Sequence, residues 1–113
     1  MQKNFSVWRD ENGIPHVQAA DTAGMYQGQG YVHARDRGMQ LLLMRILGQG
    51  RASEFLDASA EMLAVDTFFR RMNWRAGTRD ILESFSPEIH RHLEAYCEGV
   101  NMGLQEKTPW EYR

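Results

Sequence analysis

The sequence contains a single cysteine, Cys97, and so has no pair that could form a disulfide within the chain. It is also poor in lysine, and its 13 Lys and Arg residues face 15 Asp and Glu residues, for a formal net charge of −2. That balance excludes a basic nucleic-acid-binding module. The longest apolar run, 39–46, is interrupted by Gln40 and Arg45, so no segment reaches the roughly 20 apolar residues that span a bilayer. We expect neither nucleic acid nor a membrane as a partner.

The composition that remains is that of a folded chain. Hydrophobic residues make up 42% and charged residues 25% of the sequence, which excludes intrinsic disorder. No apolar core of a secretory signal follows Met1, so we expect a periplasmic location if a signal peptide was removed and a cytoplasmic one if Met1 is native. The aromatic end, with Trp110 and Tyr112, suggests rings that pack against something further, and we expect the chain to be a fragment of a longer polypeptide.

The N-terminal segment predicts a β-hairpin at about residues 5–10 and 14–19. Asn12-Gly13 separates two short β-prone runs, and both residues tolerate a positive φ. Pro15 has no N–H to donate, so the second strand should be an edge strand or be bulged at that residue.

Everything from about residue 21 to 107 predicts helices. Asp21-Thr22 is an N-cap signal, and the glycines that follow at 24, 28 and 30 disfavour a helix, so their value must be steric: they let another backbone approach closely. An apolar stripe marks a helix over 39–47, which Gly48 and Gly50 should end. A short helical piece is expected near 52–56.

The second half of the chain predicts three further helical segments. We expect Asp66 to cap a run through Trp74, and a short helix at about 79–85. Ser86-Pro87-Glu88 is a strong helix start, followed by an apolar stripe to about residue 105. That stripe includes Ile89, Leu93, Tyr96, Cys97, Val100 and Leu104, and it should bury Leu93 and the Cys97 thiol.

Few residues suggest chemistry. Gly28-Gln29-Gly30 resembles the start of a dinucleotide-binding fingerprint, but His33 stands where a third glycine is needed. His90 and His92 lie two residues apart and face different directions on a helix, so a zinc site is disfavoured. For His16 and His33 a hydrogen-bonded structural role is favoured over a role in a site.

The basic residues and the serines also indicate structural roles. Eleven of the 13 basic residues are arginines, whose guanidinium groups suit paired contacts with carboxylates. We expect a polar network between the helices and the hairpin, with Asp10, Asp36, Glu54 and Asp66 as acceptors, rather than an anion site. None of the five serines has the spacing of a known nucleophile motif. The residues alone therefore identify no catalytic, cofactor-binding or metal-binding site.

Five ordered blocks nevertheless resemble the penicillin acylase (penicillin amidase) family over about residues 7–113. They are Arg9-Asp10-Glu11-Asn12-Gly13-Ile14-Pro15-His16-Val17; Gly30-Tyr31-Val32-His33-Ala34-Arg35-Asp36-Arg37 with Gln40 and Arg45; Gly50-Arg51-Ala52-Ser53-Glu54-Phe55-Leu56; Asp66 with Arg70-Arg71; and Tyr96-Cys97-Glu98-Gly99-Val100-Asn101. It is their order and spacing together that make the resemblance specific.

The resemblance implies an N-terminal-nucleophile hydrolase. In such enzymes a precursor cuts itself into an α and a β chain, and the new N-terminal Ser of the β chain attacks an amide carbonyl with its own amine as base. Substrates are amides with an apolar or aromatic acyl group, such as penicillins or acyl-homoserine lactones. The implied fold is mostly α with an N-terminal β-hairpin, a fragment of an αββα sandwich, and we expect residues 1–113 to form a single unit.

The resemblance places the nucleophile, the oxyanion donors and the acyl-pocket residues outside this chain. The implied partners are the remainder of the α chain, the β chain and a small N-acyl amide substrate. No cofactor is expected in this chain, although calcium is possible in the complete enzyme. The alternative is a self-contained helical protein-interaction module without catalysis, which the seven methionines and the aromatic end would suit.

Overall fold

A computed structural model describes residues 2–108 and 110. Two strands, β1 (Phe5–Arg9) and β2 (Pro15–Ala19), precede five helices. The helices are α1 (Thr22–Gly48), α2 (Ala52–Phe55), α3 (Ala60–Met72), α4 (Trp74–Ser84) and α5 (Pro87–Glu106). The predicted class, mostly α with an N-terminal hairpin, is confirmed. The aromatic Tyr112 lies outside the described residues.

The hairpin is antiparallel and regular, with Phe5 opposite Ala19 and Arg9 opposite Pro15. Pro15 occupies the first position of β2, where its missing N–H interrupts no later part of the ladder, so the bulge considered from the sequence is not formed. Phe5 is buried and its ring lies 5.3 Å from that of Tyr31 in α1. The hairpin therefore packs on α1 through the side of the sheet that carries Phe5.

The chain forms two compact units. The first comprises Met1–Gly38 and Ser86–Arg113, and the second comprises Met39–Phe85. α1 runs from one into the other, and its backbone leaves helical geometry at Arg37 (φ −132°, ψ 24°), next to the boundary. The expectation of a single unit over residues 1–113 stays a prediction.

The first unit contains the hairpin, the first part of α1 and all of α5. The Asp21 carboxylate accepts the Gly24 N–H at 2.7 Å at the start of α1, as the sequence predicted. Ser86 caps α5 by accepting the Ile89 N–H, and Pro87 occupies its first turn. The helix ends at Glu106, close to the predicted residue 105.

The buried side of α5 differs from the predicted one. Leu93 is 38% exposed and the Cys97 thiol is exposed, whereas Gly99 and Gly103 are buried. The expectation that Leu93 and Cys97 lie in a core was wrong, because α5 approaches α1 through its glycines rather than through the stripe of large apolar side chains.

The second unit departs from the prediction at two helix starts. Ser59, not Asp66, caps α3, and its hydroxyl accepts the Met62 N–H; Asp66 lies in the middle of that helix. Asn73 adopts a left-handed conformation (φ 53°), which ends α3 and lets α4 begin at Trp74, five residues earlier than expected. No described helix is both long enough and apolar enough to cross a membrane.

Candidate functional site

Asp10 organises the turn of the hairpin. One carboxylate oxygen accepts the N–H groups of Asn12 at 2.9 Å and Ile14 at 3.0 Å, and the other lies 3.0 Å from Nε2 of His16. The bond to His16, followed by the bond to the Ile14 amide, holds the pKa of Asp10 below its usual 3.8. Gly13 supplies the positive φ (76°) that the turn requires. The first block of the resemblance thus closes a turn, and His16 is hydrogen-bonded, as predicted.

Arg9 ties this turn to α1. Its guanidinium donates to the Gly13 carbonyl at 2.9 Å and to a carboxylate oxygen of Asp36 at 2.6 Å. Both partners of this ion pair are partly exposed, so its contribution is that of a surface salt bridge with good geometry. The contact confirms the predicted polar network between the hairpin and the helices, with Asp36 as one of its acceptors.

Glycines set the separation of α1 and α5. A Cβ on Gly30 would overlap the Tyr96 carbonyl oxygen, and a Cβ on Gly99 would overlap that of Gln27 while lying 2.9 Å from the Tyr31 nitrogen. A Cβ on Gly103 would lie 2.8 Å from both the Tyr31 carbonyl oxygen and the Ala34 Cβ. The steric role predicted for Gly30 is confirmed, and Gly99 and Gly103 are its counterparts on the other helix.

Gln27 lies beside this crossing and is 2% exposed. Its amide oxygen accepts the Asn4 N–H at 3.0 Å, and its amide nitrogen donates to the Gln2 carbonyl at 3.0 Å and to the Glu98 carboxylate at 3.1 Å. The side chain therefore joins the N-terminal segment, α1 and α5 while all these bonds compensate for its burial. Nothing in the sequence distinguished this glutamine from an exposed one.

Two further histidines, His33 and His92, contact aromatic side chains. His33 Nδ1 lies 3.0 Å from the Tyr96 hydroxyl, and the His92 ring lies 4.8 Å from that of Tyr26. His33 thus has the hydrogen-bonded role that was favoured from the sequence. Within residues 2–108 and 110, no group of three or more His, Cys, Asp or Glu side chains is arranged to hold a metal ion. Calcium in the complete enzyme stays a prediction.

In the second unit, Asp66 is a buried carboxylate, 3% exposed. One oxygen accepts the Ala52 N–H at 2.6 Å, and the other accepts the Ser53 N–H at 2.9 Å and the Ser53 hydroxyl. Asp66 therefore caps a helix, but the helix is α2 rather than its own. A carboxylate here satisfies N–H groups that the first turn of a helix leaves without intrahelical partners.

Burial alone would raise the pKa of Asp66. The bonds from the Ser53 hydroxyl and from the Ser53 and Ala52 amides, together with the charge of Arg70, outweigh it and lower the pKa below 3.8. Arg70 also donates to the Gly50 carbonyl at 2.8 Å, at a residue whose φ is +62°. The third and fourth blocks of the resemblance thus meet at Asp66.

We expect Asp66→Asn to lower the melting temperature of the purified chain by about 5 °C or more. In this variant an amide nitrogen replaces one of the two carboxylate oxygens. The N–H groups that donate to that oxygen would then face another donor and be left unpaired. Circular dichroism measures the change, with Asp57→Asn, at an exposed position, as the matched control. An Asp66→Asn protein as stable as the control would show that the carboxylate does not hold α2.

The same variant tests the pH dependence. Because the folded pKa of Asp66 is lowered, its contribution to stability is complete above the unfolded value of about 3.8 and is lost as pH falls through the folded value. The melting temperature of the parent protein should therefore fall more steeply than that of Asp66→Asn below about pH 4.

The arginine of the third block is also paired. Arg51 donates to both carboxylate oxygens of Glu54, at 2.7 and 2.8 Å, and its guanidinium lies 4.4 Å from the centre of the Phe55 ring. The bonds to Arg51 lower the pKa of Glu54. The residues of the resembling blocks thus bind one another, and the expectation that this chain supplies no catalytic residue stays a prediction.

Comparison with known proteins finds relatives over nearly the whole chain. The family model described as penicillin amidase matches residues 4–113. The chain is 38% identical over 92% of its length to acyl-homoserine lactone acylase QuiP of Pseudomonas syringae pv. syringae (strain B728a), of which it covers 12%. It is 39% identical over 91% of its length to penicillin acylase 2 proenzyme of Pseudomonas sp. (strain SE83), of which it covers 13%.

A solved structure shows the same fold. Thermostable penicillin G acylase from Alcaligenes faecalis matches 99% of this chain with a TM-score of 0.81 and 25% sequence identity, and this chain covers 62% of that one. Of the two curated relatives named above, by contrast, the chain spans only about an eighth of the length. Since the family model accounts for nearly all of the sequence, the chain belongs to the penicillin amidase family.

Proposed function

We propose that this chain is the N-terminal α-chain portion of a penicillin-acylase-type amidohydrolase. The complete enzyme would cleave the acyl amide bond of penicillins or of related N-acyl compounds. The observation that carries the proposal is the match of the penicillin amidase family over residues 4–113. The relatives named as acyl-homoserine lactone acylase and as penicillin acylase support N-acyl amides as the substrate class.

In this proposal the chain is part of the structural framework of the enzyme. Amide hydrolysis of this type needs an activated nucleophile, a base and donors that stabilise the oxyanion. The Ser53 hydroxyl donates a hydrogen bond to Asp66, and the His16 imidazole is hydrogen-bonded to Asp10. The nucleophile, its amine base and the oxyanion donors would come from the β chain of the same precursor, and any calcium ligands from residues outside this chain.

The test uses the complete gene product. We expect two chains from one precursor, which intact mass measurement would detect. We also expect hydrolysis of a chromogenic phenylacetyl amide, an N-acyl homoserine lactone or both. Comparing kcat/KM for the two substrates assigns the preferred acyl and leaving groups. A complete gene product that stays in one piece and hydrolyses no N-acyl amide would contradict the proposal, and would favour the helical interaction module instead.

A further inference from the structure

Asn12 is the one asparagine of the chain that a glycine follows. The side-chain amide of an asparagine can react with the backbone nitrogen of the next residue, which makes asparagine chemically labile. A side chain on that next residue hinders the reaction, and glycine has none. The other asparagines, at positions 4, 73 and 101, are followed by Phe5, Trp74 and Met102. The sequence therefore favours this reaction at Asn12 over the other three positions.

The structure leaves both reacting groups open to water. Asn12 and Gly13 are exposed in the turn between β1 and β2. Within the described part of the chain, the Asn12 side-chain amide forms no hydrogen bond. A Cβ at Gly13 would meet nothing within 4 Å, so there is room for the five-membered imide ring that the reaction forms.

Hydrogen bonds of the closed turn restrain the reaction. The Gly13 N–H donates to the Asp10 carbonyl oxygen at 3.0 Å, so its nitrogen is not free to attack. The Asp10 carboxylate holds the same turn together by accepting the N–H groups of Asn12 and Ile14. Segments of a protein can open locally without global unfolding. The reaction rate should therefore follow the equilibrium population of the open turn.

We propose that Asn12 is a site of spontaneous deamidation whose rate is set by opening of the hairpin turn. The Gly13 nitrogen bonds to Cγ of Asn12, the Cγ–Nδ2 bond breaks, and ammonia leaves with the proton of the Gly13 N–H. Water then opens the imide, and the Gly13 nitrogen regains a proton. Cleavage of its bond to Cγ gives aspartate, whereas cleavage of its bond to the main-chain carbonyl carbon gives isoaspartate.

Isoaspartate would weaken the contact between the hairpin and α1. It adds a methylene group to the main chain between residues 12 and 13, so the Gly13 carbonyl must move. That carbonyl accepts a hydrogen bond from the Arg9 guanidinium at 2.9 Å, and the same guanidinium donates to Asp36. A modification at the exposed turn would thus reach the ion pair that joins β1 to α1.

Peptide mass mapping of the complete gene product, incubated at mildly alkaline pH, tests the site. The acid form should accumulate at Asn12 at least about tenfold faster than at Asn4, Asn73 or Asn101, because no Cβ hinders ring closure. Isoaspartyl methyltransferase should label the same peptide. An Asn12 that remains an amide for as long as the other three asparagines would overturn the proposal.

A pair of variants tests the role of the turn. Asp10→Ala removes the acceptor of the Asn12 and Ile14 N–H groups and should speed deamidation at Asn12 about tenfold, the effect of losing one hydrogen bond on the open population. Glu11→Ala is the matched control, since it removes a carboxylate from an exposed neighbouring position, and it should leave the rate unchanged. Equal rates at Asn12 in the two variants, or an equal acceleration at all four asparagines, would overturn the proposal.

Discussion

Replacing Gly99 by alanine should destabilise the purified chain by about 3 kcal/mol, at the upper end of the usual cost of overpacking. The new Cβ would overlap the Gln27 carbonyl oxygen and approach the Tyr31 nitrogen. Both are backbone atoms of α1 and cannot rotate away, so α1 and α5 would have to move apart. The separation would also weaken the contacts at Gly30 and Gly103. Denaturant unfolding monitored by circular dichroism measures the change.

Gly77→Ala is the matched control, because it makes the same substitution inside another helix. A Cβ on Gly77 meets nothing within 4 Å, so only helix propensity changes. We expect a gain of about 0.5–1 kcal/mol. The same chemical change should therefore have opposite signs at the two positions. A Gly99→Ala protein within about 0.5 kcal/mol of the parent would contradict the close crossing of α1 and α5.

The isolated chain should hydrolyse no N-acyl amide, whereas the complete gene product should do so at a rate at least about a million times that of the uncatalysed reaction. The reason is that catalysis needs a nucleophile beside its base together with preorganised oxyanion donors. The Cys97 thiol is exposed on α5. Release of a chromophore from a phenylacetyl anilide measures both rates.

The complete gene product assayed in parallel is the control for substrate quality and conditions. Turnover by the isolated chain that survives single substitutions of its serines and of Cys97 would indicate a contaminating enzyme. Saturable turnover that one such substitution abolishes would show that the chain carries chemistry of its own.

Local signals in the sequence were sufficient for the hairpin and for the two ends of α5. Gly13 fixes the turn because the backbone there needs a positive φ, and Ser86-Pro87 fixes a helix start because the cap and the proline act within one turn. The close approach of another backbone at Gly30 could be predicted from the residue type alone. What could not be inferred was which backbone approaches it, since that depends on residues more than 60 positions away.

The predictions that were wrong share a physical cause. Asp66 has the chemistry of an N-cap, but the helix that it caps precedes it by 13 residues in the chain, so no local spacing reveals the pairing. The large apolar residues of α5 suggested a buried Leu93 and Cys97, yet the glycine side of the helix allows a closer approach to α1 and is the buried one. Tertiary contacts, rather than local propensity, determined these positions.

The candidate site was partly predictable. The roles of Arg9 and Asp36 followed from the general preference of arginine for carboxylates, and the roles of His16 and His33 from the lack of a motif partner. The role of Gln27 was not predictable, because a satisfied buried amide and an exposed one have the same sequence.

Covalent labelling of the complete gene product most directly tests the central claim, that this chain is the non-catalytic portion of an acylase. A sulfonyl fluoride transfers its sulfonyl group to an activated hydroxyl, with loss of fluoride, and peptide mass mapping then locates the modified residue. We expect stoichiometric labelling, with loss of amide hydrolysis, at a residue outside these 113. Labelling of Ser53 or another serine of this chain, in proportion to lost activity, would contradict the claim.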